Sequence, residues 1–206
     1  MSGDPYHGEF GGGGAGVGGG AGAVQQGVPR PEVERVRIVA GCMTGTSIDG
    51  IDVAVAEIIG SGLAMRVRLL ASVSMELDGR YGPLAAELRQ IAEQVPLAAG
   101  QVADVSRRFA LLHAEAVRAA AAKAQVRLDL IVPHGQTVFH RPPVSWQMFS
   151  PAVLARELGV PVVCDLRAAD LAAGGQGAPI TPLADWVMFG MCGRERVTGR
   201  VRVRRR

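Results

Sequence analysis

The stretch from Val36 to Ile59, VRIVAGCMTGTSIDGIDVAVAEII, constrains this chain more than any other. Two apolar runs of β-type composition flank a turn of Gly, Thr, Ser and Asp, which predicts strands over 36–43 and 51–59. A strand that ends in small residues, hydroxyls and carboxylates suits an anion such as a phosphate. Gly45 and Gly50 let the backbone come close, while Thr44, Thr46 and Ser47 add hydroxyl donors. Asp49 and Asp52 close the turn, and a carboxylate there can hold Mg²⁺ through water. The same residues also suit an ordinary polar hairpin turn, because Gly, Ser and Asp fill turns for conformational reasons alone.

The pattern beyond this hairpin is α/β. A third strand is expected over 65–77, where MRVRLLASVSMEL begins with alternation, so that the first three strands form a meander. The period then changes. Helices are predicted over 82–94 and 101–125, separated at Pro96, and the second carries a stripe of Val102, Val105, Phe109, Leu112, Ala116 and Ala120. A buried strand over 128–133 runs into a polar turn, a short helix over 151–158 starts at Pro151, and a buried strand over 160–166 enters the loop AADLAAGGQGAPI. Three antiparallel strands followed by helix, strand, helix, strand is one lobe of an α/β protein.

Charge narrows the function classes. The formal charge of +3 arises from residues 190–206, where seven Arg and one Glu give +6, so the rest of the chain sums to −3. The body is therefore mildly acidic, and no nucleic acid is expected as a partner of the folded lobe. Taken at face value, the Arg-rich tail would be an RNA- or membrane-binding extension, with steeply salt-dependent binding. Residues 1–32 read as a disordered Gly-rich leader, since 12 of the 28 glycines fall within the first 30 residues. Cys42, Cys164 and Cys192 are odd in number and widely spaced, which fits neither a disulfide framework nor a zinc site. With no signal-peptide pattern and no apolar run of membrane-spanning length, a cytoplasmic protein without a membrane partner is expected.

Three polar strings fall at predicted strand ends: TGTSIDGID at 44–52, HGQTVFHRP at 134–142 and DLRAADLAAGGQGAP at 165–179. Loops at strand ends are where α/β sheets bind ligands. Singly, each has a plain structural reading: His134 and His140 as surface histidines, Asp165 as a helix cap, and Gly174, Gly175 and Gly177 as a flexible link. Together, and in this order, the strings resemble the anhydro-N-acetylmuramic acid kinases of bacteria over about residues 36–189.

The resemblance implies an actin-like (ribonuclease H-like) lobe over 33–189, with a mixed sheet flanked by helices and the family's second lobe missing. It implies ATP-dependent phosphorylation of 1,6-anhydro-N-acetylmuramic acid on O6, with water opening the anhydro ring to give N-acetylmuramic acid 6-phosphate. Gly45, Thr46, Ser47, Ile48, Asp49, Gly50, Ile51 and Asp52 would form the ATP-phosphate turn, with Asp49 facing Mg²⁺ through water. His134, Gln136, Asp165, Arg167, Gly175 and Gln176 would line the wall near the sugar. The full-length form would be a homodimer. Thr44 stands where the family commonly has Ser, and Ala168 and Ala169 follow Arg167 where the family often continues with Arg. The strings that the family carries on its second lobe, one of which supplies the general-base aspartate, do not occur in these 206 residues. The resemblance stops near Phe189, where the charge also jumps, as a truncation or shifted reading frame would produce. An inactive fragment is thus expected, or alternatively a non-catalytic nucleotide- or sugar-binding half that needs a separate second lobe.

Overall fold

In the computed structural model, which describes residues 35–190, the two apolar runs form β1 (Val36–Met43) and β2 (Gly50–Ile59). They pair antiparallel from Val36 opposite Ile59 to Met43 opposite Asp52. Strand β3 (Arg66–Glu76) pairs antiparallel with the far side of β2. Strand β4 (Leu130–Pro133) instead runs parallel to β1, so the sheet is mixed, in the order β3-β2-β1-β4. A parallel neighbour requires a long crossover, and helices α1 (Leu84–Ala92) and α2 (Ala99–Ala124) supply it.

Alternation decides which face is buried. Along β2, Ile51, Val53 and Val55 are buried whereas Asp52 and Ala54 are exposed. Helix α2 lies against the buried face, and Val105, Phe109, Leu112, Ala116 and Ala120 of its stripe are all buried there. Each large apolar side chain so buried contributes about 1.5–3 kcal/mol. Helix α3 (Pro151–Leu158) packs on α2, begins with Pro151 in its first turn and ends where Gly159 turns left-handed. Arg108 of α2 ties down α1 and the loop before it. It makes a two-pronged contact with Glu87 at 2.8 and 2.9 Å and reaches the Tyr81 carbonyl at 2.7 Å.

Two expectations are corrected by the structure. Residues 160–166 do not form a buried strand. Val162 alone bridges to Ile131, through Ile131 N–H to the Pro161 carbonyl (3.0 Å) and Val163 N–H to the Ile131 carbonyl (2.9 Å). Val163 is 42% exposed, so the segment lacks the burial that would extend it as a strand. At Asp165 the backbone becomes left-handed and starts helix α4 (Leu166–Ala172), so the expected loop begins as a helix. In addition, a second sheet is present where only a turn is expected: the hairpin of β5 (Gln136–Arg141) and β6 (Val144–Met148). The chain continues through a helical turn, Pro182–Asp185, into a π-helical turn, Trp186–Gly190. The expectations for residues 1–32, and for the tail beyond Gly190, lie outside the described residues. No helix among those described is long and apolar enough to cross a membrane.

Among the buried polar side chains, that of His113 is fully sealed from solvent. His113 on α2 is fully buried, with its rings' neighbours Phe109 and Phe149 edge-on at 4.3 and 4.9 Å between centroids. Its Nδ1–H donates to the Phe109 carbonyl at 2.9 Å, and Nε2 has no partner. Burial pushes its pKa down from 6.5 to about 4. The unfolded chain therefore binds this proton near pH 6.5 and the folded chain only near pH 4. Stability falls as pH falls through that window, by up to about 3 kcal/mol. Urea unfolding between pH 7 and 4 is expected to reveal this slope, and His113→Leu to flatten it; an unchanged slope in the variant would assign the acid sensitivity elsewhere.

Candidate functional site

The turn between β1 and β2 is held from both sides. Ile48 adopts φ +50°, a rare conformation for a β-branched residue that costs on the order of 1–3 kcal/mol. Its side chain is buried in the core, which contributes a similar ~1.5–3 kcal/mol and offsets the strain. The Ile48 N–H closes the turn on the Gly45 carbonyl at 3.2 Å. From α1, Arg89 donates through Nη2 to the carbonyls of Ser47 (3.1 Å) and Ile48 (2.8 Å). Ser47 Oγ donates to Asp49 Oδ1 at 2.8 Å, and Ser74 Oγ on β3 donates to Asp52 Oδ1 at 2.5 Å.

Two clefts open at this end of the sheet. The first, of about 750 Å³, is walled by Gly45, Ser47 and the carboxylates of Asp49, Asp52, Glu76 and Asp78, with Arg89 the cation in its lining. The second, of about 660 Å³, lies over the outward face of the sheet and is mostly apolar, with His134, Gln147, Asp165 and Arg167 among its polar groups. Asp52 and Ser74 line both clefts, so the two meet there.

The first string is thus brought together, with distinctions among its members. Ser47, Asp49 and Asp52 are exposed, as is Thr46. Ile48 and Ile51 turn their side chains into the core, and Thr44 is buried with no partner for its Oγ1. Gly50 is small for a different reason from the one expected. A Cβ there would meet the Met75 carbonyl of β3 at 3.1 Å, so the close approach is to a neighbouring strand. Among the described residues no group of three or more His, Cys, Asp or Glu could hold a metal ion without other ligands.

The second and third strings meet through Arg167. Its Nη2 donates to His134 Nε2 at 3.2 Å and its Nη1 to the Gly177 carbonyl at 2.7 Å. With Nε2 accepting, the imidazole proton lies on Nδ1, 2.9 Å from the Gly135 carbonyl. Asp165 caps α4, accepting from the Ala168 N–H at 3.3 Å, and also lines the second cleft. Asp170 organises the glycine loop by accepting from the Gly177 N–H at 2.7 Å. Gln176 is exposed, whereas Gln136 is buried with Oε1 unpartnered and lines neither cleft. Three residues of these walls were not singled out from sequence: Arg89, Ser74 and Gln147. Alternation in SVSME and VSWQM was the available signal for the last two; Arg89 had none, since helix spacing does not say which loop a guanidinium reaches.

Fold and site together define a mixed α/β lobe with two polar-edged clefts that meet at Asp52 and Ser74. A sequence profile of the family described as anhydro-N-acetylmuramic acid kinase matches residues 37–199, and the chain belongs to that family. The match runs past Phe189, where the resemblance is expected to stop, into the Arg-rich stretch. Proteins named anhydro-N-acetylmuramic acid kinase from Prochlorococcus marinus (strain MIT 9313) and Salinibacter ruber are 39% and 41% identical over 165 and 170 residues. These alignments take in 75% and 74% of this chain. The one from Bacillus thuringiensis (strain Al Hakam) is 34% identical over 164 residues, 75% of this chain. The chain spans only 41–42% of the length of these curated relatives. Among solved structures, the ROK hexokinase from Thermus thermophilus aligns with 69% of this chain and 37% of its own, at 22% identity and a TM-score of 0.30, a likeness too slight to carry any argument.

The glycine loop offers a direct test of this geometry. A Cβ on Gly175 would sit 2.2 Å from Asp170 Oδ2. Gly175→Ala is expected to push the carboxylate off the Gly177 N–H and cost about 1.5–3 kcal/mol, the range for a hydrogen bond to a charged group. In an Asp170→Ala background the same change should cost little, a coupling that a double-mutant cycle in urea measures.

Proposed function

We propose that this chain supplies the ATP-phosphate turn and one wall of the sugar cleft in an enzyme that phosphorylates 1,6-anhydro-N-acetylmuramic acid, with hydrolytic ring opening to N-acetylmuramic acid 6-phosphate. The observation that carries the proposal is the meeting of the two clefts at Asp52 and Ser74, in a chain of this family. A phosphoryl donor in one cleft and a sugar in the other would then face each other across a single pair of side chains.

The nature of the first cleft supports a metal-bearing triphosphate over a bare one. Four carboxylates line it against one guanidinium, so an uncomplexed anion would be repelled. Mg²⁺ accompanying ATP would neutralise phosphate charge, which is most of what phosphoryl transfer asks of its surroundings. Asp49 would hold it through water, with the Gly45–Ile48 backbone and the hydroxyls of Thr46 and Ser47 around the phosphates. In the second cleft the Arg167–His134 pair and Asp165 offer donors and acceptors to sugar hydroxyls, and the apolar remainder suits a ring face. Gly175 and Gln176 belong to this reading as the loop that Asp170 folds beside that wall. A cytoplasmic location and a homodimer of the full-length protein go with it.

Calorimetric titration of the 206-residue protein with ATP, with and without Mg²⁺, tests the proposal. Binding is expected only with Mg²⁺. Asp49→Asn should weaken the Mg²⁺-dependent binding about tenfold and leave metal-free ATP no weaker, since a like charge has been removed. Equal binding with and without the metal would sink the proposal. No ring-opened 6-phosphosugar above a no-enzyme blank is expected from this polypeptide alone, because the strings assigned to the general base lie outside it.

A further inference from the structure

Arg89 makes two bonds to the β1–β2 turn and lines the first cleft, yet the proposed function gives it no role in holding that turn. It sits on α1, outside all three strings, yet its Nη2 reaches 42 and 41 positions back along the chain to the carbonyls of Ser47 and Ile48. Those two carbonyls flank the residue in the turn with positive φ. In a planar trans peptide the C=O and the following N–H point in opposite directions. Drawing the Ile48 carbonyl toward α1 therefore turns the Asp49 N–H to the opposite side. The other carbonyl's peptide carries the Ile48 N–H, which is committed to Gly45. Burial of the Ile48 side chain fixes the turn from below, and the guanidinium fixes it from the side. Without the guanidinium, the strained φ of Ile48 would rest on that apolar anchor, its own 3.2 Å hydrogen bond to Gly45 and the bonds that the next residue, Asp49, makes to Ser47 Oγ and Leu77 N–H. Position also matters: Arg89 lines the same cleft as Gly45, Ser47 and Asp49.

We propose that Arg89 is a positioning residue, which holds the 45–49 turn in its strained, ligand-ready conformation by gripping the Ser47 and Ile48 carbonyls. The inference rests on the reading of that turn as the phosphate site. It predicts an effect confined to the turn, because Arg89 is exposed and its hydrogen bonds go to the turn's carbonyls.

The test compares the full chain with Arg89→Met, which keeps the aliphatic stem, and Arg89→Lys, which restores one donor. Three quantities are measured: MgATP affinity, urea midpoint, and amide hydrogen exchange at Ile48 and Asp49. Arg89→Met is expected to weaken MgATP about ten- to a hundredfold, the equivalent of its charge-assisted hydrogen bonds, with partial recovery in Arg89→Lys. Exchange at Ile48 and Asp49 should quicken while the urea midpoint stays put. Unchanged exchange at those two amides, or a midpoint that drops in step with the affinity, would overturn the proposal. If the unsubstituted chain fails to bind MgATP, the phosphate reading falls, and the exchange comparison still decides whether Arg89 holds the turn.

Discussion

Burial of one face of the β1–β2–β3 sheet under α2 is the constraint on which the rest depends. Because side chains alternate along a strand, setting Ile51, Val53 and Val55 against α2 leaves Asp52 and Ala54 no choice but the other face. A slip of one residue would put Asp52 in the core beside Phe109 and expose three large apolar side chains. The register that pairs Met43 with Asp52 is thus as much a statement about the site as about the fold. It fixes where the turn begins, and which carboxylate reaches each cleft.

The loops are held by a second kind of force. Arg89, Arg108 and Arg167 each join segments far apart in sequence, and each donates to at least one backbone carbonyl. A carbonyl grip differs from a surface ion pair, which contributes ~0–1 kcal/mol and sets little geometry. It fixes the direction of a peptide plane, and with it the path of the loop. Arg108 does so for the entry to α1, Arg167 for the glycine loop, and Arg89 for the turn between β1 and β2. The chain's dependence on Arg over Lys, with Lys123 its sole lysine, suits this arrangement, because a planar fork can reach two acceptors at once.

How much of this was legible in the sequence follows from which interactions are local. Strands β1 to β3 and helix α2 were readable because their burial repeats with a period fixed by their own backbone geometry. The segment at 160–166 misled because an apolar composition indicates a strand only if a neighbour covers it, and Val163 is exposed with a single bridge beside it at Val162. The β5–β6 hairpin went unread because the strand expected over 128–133 was taken to run into a polar turn, with no strands beyond it. At the site, the first two strings do follow strands, β1 and β4, whereas the third follows only the single bridge at Val162. Composition could not tell Gly50, small because β3 passes close, from Gly175, small because Asp170 folds against it. Nor could it find Arg89, whose role exists only once α1 is packed.

Asp52 and Ser74 stand where the two clefts meet. The hydroxyl of Ser74 takes one oxygen of the Asp52 carboxylate, and both residues sit on the exposed face, directly opposite one another on β2 and β3. Their pairing across two strands restrains the carboxylate where the two clefts meet, where a free aspartate would sample several rotamers. A fold whose alternation were shifted, or whose β3 were moved away by a side chain at Gly50, would separate the hydroxyl from the carboxylate and leave two unconnected hollows. The polar chemistry at the rim is in this sense a product of the apolar packing beneath it.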